Sequence, residues 1–336
     1  MPTVRSVELT GRTFGGIHAD QFRIADTELG PLKPGSALLE NVYLLIEPEV
    51  SRLVYGGWHL HTPMPGGPAI GRVIDSRTRA LPIGTVVLHA AGWSTHAVVW
   101  AGQSGLRVIS ASADLPVTVY LWALGAPGMT AWRGVHEILR PQRGEVLYVA
   151  SGVNAAGSLV AQLARLCGAG PLLAGVRGEV AARVATQVYG FDEAYDTLES
   201  AALGRLAGPS AGLIDAAWVD LDTYHLSVVA NSLRQRGGRI AHAGRAVRAD
   251  GVPIGPGPAT RETLVDGRRV VIHEYPSSGH GYAQEAMHAC LVPLIRAGRI
   301  ALNETFVHGF DHVVQAFLGT LRGDLTGPVI ARIADL

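Results

Sequence analysis

Cysteine is nearly missing from this chain. Cys167 and Cys290 are the only two in 336 residues, so neither a disulfide framework nor a multi-cysteine zinc site can be assembled, and a reducing compartment fits. Net charge is missing as well: Lys plus Arg and Asp plus Glu are both 28, which leaves no field to attract nucleic acid or an anionic membrane. Nowhere is there a run of ~18 apolar residues, and the N-terminus, MPTVRSVELTGRTFGG, lacks the basic start and the apolar core of a signal peptide. Charged residues reach only 17% while hydrophobic ones make up 48%, which excludes the disordered class and supplies a large core. The expectation is a soluble cytoplasmic protein whose partner is a small molecule, with no nucleic acid and no membrane.

What is there divides in two, as a chain beyond the roughly 250–300 residues of one core should. Up to about residue 115, short apolar runs at 36–46, 69–74 and 85–90 are broken by Pro and Gly clusters such as 63–68, the texture of a small β-barrel. From about Leu115, helix-length segments alternate with short apolar runs. Strands are predicted at 145–150 (EVLYVA), 171–176 (PLLAGV), 213–219 and 239–243, with helices at 158–167, 179–189 and 224–236 between them. A Gly/Pro-rich loop at 251–258, a helix near 311–321 and a last strand at 328–333 complete the chain. The fold class is α/β, with boundaries at 1–118, 119–296 and 297–336.

A phosphate-cradling turn needs a strand, then small residues that let the backbone approach a pyrophosphate, then a helix N-terminus that attracts the anion. Residues 151–157 (SGVNAAG) sit in that context, with Gly152, Ala155 and Gly157 as the small residues and Asn154 in place of the middle Gly of G-x-G-x-x-G. Asn tolerates positive φ, yet its side chain takes space a pyrophosphate would need. A helix-opening turn with no ligand accounts for the same residues. The second strand ends in Val176-Arg177-Gly178 rather than in an acid, so Arg177 and Arg183 either pair with the 2′-phosphate of NADPH or are plain surface arginines.

Leu124-Gly125-Ala126-Pro127-Gly128-Met129-Thr130-Ala131-Trp132, followed by Gly134, Ile138, Gly144 and Glu145, resembles the opening of the cofactor domain in prostaglandin, curcumin and alkenal reductases. These form the zinc-independent branch of the medium-chain dehydrogenase/reductase superfamily. Residues 43–48 (YLLIEP), Gly92-Trp93, Gly190-Phe191-Asp192, Gly238-Arg239-Ile240, Gly298-Arg299-Ile300 and Gly309-Phe310 agree in order and spacing. The resemblance implies a GroES-like β-barrel that includes the C-terminal tail, an inserted Rossmann domain, and NADPH-dependent reduction of an activated C=C bond. Hydride passes to the β-carbon and a proton to the α-carbon of an apolar unsaturated substrate. It places the Met129-Thr130 backbone against the nicotinamide and requires no metal, in accord with the missing Cys and Gly-His-Glu ligand patterns.

Departures from the family fall where it touches cofactor and substrate. Glu49 replaces a substrate-facing Tyr, followed by Val50-Ser51; the family's Asn-Val-Gly-Gly becomes Asp220-Leu221-Asp222-Thr223. Asn-Tyr-Lys becomes Asp196-Thr197-Leu198, Gly-Phe becomes His273-Glu274, and an Asn between glycines becomes Leu325. Two enzyme readings follow: an NADPH-dependent reductase, or a redox-silent relative that uses the cleft for acid/base cyclisation, elimination or isomerisation. A non-catalytic binding protein is a third, since fold does not decide function.

Among acid/base groups, Glu49 in an apolar cleft would have its pKa raised toward neutrality. Asp220 and Asp222 follow a strand at the end where α/β sheets bind ligands, and would oppose a pyrophosphate by like charge. His59 and His61 are expected on one face of an extended segment, as a proton-moving or metal-binding pair or as solvated polar residues. Tyr55, Tyr224 and His225 are weaker candidates, and both cysteines read as core thiols. The run 268–274 (RRVVIHE) is expected to form an open edge strand that pairs two copies into a homodimer.

Overall fold

The computed structural model describes residues 3–12, 15–109, 114–197, 213–220, 223–234, 238–243, 259–265, 268–275 and 281–336. The chain forms two compact units, Met1–Leu121 with Glu304–Leu321 and Pro328–Leu336, and Trp122–Asn303 with Arg322–Gly327. Leu221, Asp222, Gly244 and the 251–258 loop lie outside the described residues.

In the first unit β1 (Thr3–Leu9) pairs with β2 (Phe22–Glu28), and β3 (Ser36–Ile46) organises everything else. Its eleven residues are almost all buried, so both edges are free to carry partners rather than solvent. After it come α1 (Val50–Tyr55), β4 (Ala69–Ser76), β5 (Val86–His89), β6 (His96–Trp100) and β7 (Arg107–Val108). One edge of β3 takes β4; the other takes β6 on residues 36–40 and β16 (Val329–Arg332) on residues 43–46. The C-terminal tail belongs to this unit because β16 completes that edge. Leu39, Val73, Val87 and Val99 fill the interior. Phe317, on the helix before β16, sits edge-on to Phe22 and Trp93, with ring centroids 6.1 and 5.5 Å apart.

In the second unit α2 (Ala126–Arg133) runs into a π-helical turn, Gly134–Leu139. There follow β8 (Leu147–Val149), α3 (Ala155–Leu166), β9 (Leu172–Val176), α4 (Gly178–Gln187), β10 (Glu193–Asp196), β11 (Ala216–Val219), α5 (Thr223–Ser232), β12 (Arg239–Ala243), β13 (Ala259–Val265), β14 (Arg268–Tyr275) and α6 (Gly281–Arg296). The strand order is β10-β9-β8-β11-β12-β14-β13, parallel except for β13. From β8 the chain winds outward through β9 and β10, then returns to build β11, β12 and β14 on the other side. The reversal falls between β8 and β11, where open α/β sheets bind ligands. β15 (Thr305–His308) and α7 (Val313–Arg322) lead to β16.

The fold departs from expectation at three places. β14 is no edge: it lies between β12 and β13, so the open edge on that side is β13. The 58–61 segment is not extended, because Trp58 is buried while His61 turns at φ 58° and donates its N–H to the Leu9 carbonyl at 2.7 Å. Cys167 is exposed and Cys290 half-buried, since α3 ends at Leu166 and its last turn faces out.

Candidate dinucleotide site at the sheet reversal

The turn from β8 into α3 is compact for identifiable reasons. Ser151 carries the positive φ (54°), and Asn154 does not: at φ −80°, ψ 177° it is the extended residue that caps α3. Its Oδ1 accepts from Gly157 N at 2.6 Å, which starts the helix at Ala155, three residues earlier than expected. A Cβ on Gly157 would lie 2.3 Å from Ser151 O, and one on Gly152 would lie 2.9 Å from the Phe191 ring. Both glycines are therefore packing requirements. The Asn154 Nδ2 donates across the reversal to Asp220 Oδ2 at 2.8 Å. Asp220, just past β11, is only 8% exposed. Beneath, the buried Tyr148 phenol has its pKa raised, first by burial and then by the Asp220 charge, so it stays neutral.

At the end of β9 stands a carboxylate that the strand itself does not supply. It comes from β10: Asp196 pairs in register with Val176, and its Oδ2 accepts from Gly178 N, the first residue of α4, at 3.0 Å. Thr197 donates its N–H to Val176 O at 2.8 Å, closing the corner. Arg177 stands between them, half-buried. Arg183 lies further along α4, exposed and 3.7 Å from Glu179. Residues 322–327 brace both turns: a Cβ on Gly323 would fall 2.2 Å from Arg177 O, and Gly327 N donates to Val153 O at 2.7 Å.

Met129 and Thr130 are buried in α2, with Met129 N donating to Gly125 O at 3.0 Å and the Thr130 hydroxyl to Ala126 O at 2.9 Å. Glu49 belongs to the first unit and precedes α1. Its carboxyl is raised by desolvation, against its own backbone and Arg52, which lower it. Glu47, which sequence reasoning passed over as part of YLLIEP, is raised to about 8 by desolvation and then by the Glu49 charge. Glu47 is the less exposed residue of the two, and we assign it the larger share of the proton they hold. His61 is exposed in its turn, and among the described residues no group of three His, Cys, Asp or Glu side chains is placed to hold a metal ion. No described helix is long and apolar enough to cross a membrane.

The donor set suits a dinucleotide: the first N–H groups of α3 have no carbonyl partners inside the helix and attract phosphates, while a carboxylate at the end of β9 suits ribose hydroxyls. A parallel sheet of this order, a glycine-dependent turn at its reversal and a separate barrel-type unit completed by the C-terminal tail make up the fold of the medium-chain dehydrogenase/reductases. Along most of its length the chain is similar to proteins of the zinc-independent branch of that superfamily, and its two units have the GroES-like and Rossmann architectures. Residues 5–108 match a family described as the N-terminal domain of oxidoreductase. Prostaglandin reductase 1 of Bos taurus is 29% identical over 326 residues, covering 93% of each chain. The NADPH-dependent curcumin reductase of Escherichia coli (strain K12) is 26% identical, covering 97% of this chain and 96% of that one. The crystal structure of CurA from Vibrio vulnificus superposes with a TM-score of 0.84 at 24% identity over 99% of both chains.

Proposed function

We propose that this protein reduces an activated C=C bond of a small, apolar, enone- or enal-like substrate, natural-product intermediates included. When bound, a reduced nicotinamide dinucleotide supplies the hydride, which reaches the β-carbon; a proton then reaches the α-carbon. The observation that carries the reading is the α3 turn at the β8/β11 reversal, with Gly152, Asn154, Ala155 and Gly157 at the phosphates. Met129 and Thr130 are assigned to the nicotinamide side. The relatives' names carry NADPH, and Arg177 supplies a cation for a 2′-phosphate; Arg183, held by Glu179, is the weaker partner. A cytoplasmic homodimer remains our proposal, its sheet-to-sheet contact now assigned to β13.

A second reading is favoured by one observation, the Glu47/Glu49 pair with its retained proton, which suits acid/base isomerisation, elimination or cyclisation without the nicotinamide. Titration with NADPH and NADH, followed by nicotinamide fluorescence, separates the two. Micromolar binding and nicotinamide oxidation with an enal support the reductase; no binding to either dinucleotide sinks it. In the reductase Glu49→Gln should keep near-normal turnover, whereas loss of a general acid costs about 100- to 10,000-fold.

A further inference from the structure

We draw no further inference here: the strongest candidate, the side-chain pair of Cys167 at the end of α3 and Cys290 on α6, rests only on a rise of the Cys167 thiol that burial causes first and the Cys290 charge second, which fixes no distance over which the two sulfurs could bond.

Discussion

Two helices of the second unit open at the carboxyl ends of adjacent strands and treat their N-terminal N–H groups in opposite ways. α3, after β8, is capped by a neutral amide, Asn154, and the carboxylate of Asp220 stands one hydrogen bond further back. α4, after β9, meets a carboxylate directly, Asp196 on Gly178 N. Each helix end carries about half a positive charge. At α3 that charge is left to an incoming anion, whereas at α4 it is already neutralised. The difference teaches that two helix ends on one sheet edge need not be equally open to an anion: the sheet neighbour decides which is already filled.

The comparison breaks hardest through glycine. Gly157→Ala places a Cβ 2.3 Å from Ser151 O, a backbone atom that cannot step aside, and should destabilise the second unit by about 3 kcal/mol. Gly178→Ala meets no atom within 4 Å but keeps φ 77°, and should cost about 1 kcal/mol. Urea midpoints of the two variants check the ranking, and equal shifts would mean the α3 turn is looser than its packing indicates. Next in size is Asp220→Asn. Removing the charge behind the α3 cap should tighten NADH and NADPH equally, by roughly tenfold or about 1.4 kcal/mol. Fluorescence titration reads it, and a change confined to NADPH would mean that the Asp220 charge acts at the 2′-phosphate and not at the diphosphate.

A pH dependence is expected in the first unit. Glu47 in the folded state titrates near 8 against 4.5 for an ordinary Glu, so the native protein holds a proton that the unfolded chain releases between those values. Stability from this group is full below about pH 4.5 and is lost as pH rises through 8. His89 runs the other way. Burial lowers it to about 4, and since Ala91 N donates to its Nδ1 at 3.2 Å, its Nε2 carries the proton toward Asn41 Oδ1 at 2.9 Å. The unfolded chain takes up a proton from 6.5 downward, so its contribution is lost as pH falls toward 4. Glu47→Gln should therefore raise the melting temperature more at pH 8 than at pH 5. An equal shift at both would show that Glu47 is ionised in the native state.

Much of the chain was legible because its signals are local. Apolar runs with Pro and Gly boundaries marked β3, β9 and β12 to within a residue or so, and the helix after residue 151 followed from a strand running into small residues. Family-like blocks spread along the chain carried the two-unit organisation. Local reading failed where identity depends on neighbours distant in sequence. Asn154 looked like a residue with positive φ, yet the backbone strain settled on Ser151 because the amide was needed to cap α3 and to reach Asp220, 66 positions away. The run in β14 looks like an edge strand from its own residues, and only the antiparallel return of β13 buries it. Asp196 sits beyond a helix from Val176 and comes beside it solely through the β9/β10 register. Periodicity and turn chemistry act over a few residues and are written in the chain itself. Strand order and register are set by long-range pairing of surfaces, and so the tertiary structure alone decided which carboxylate faces which helix end.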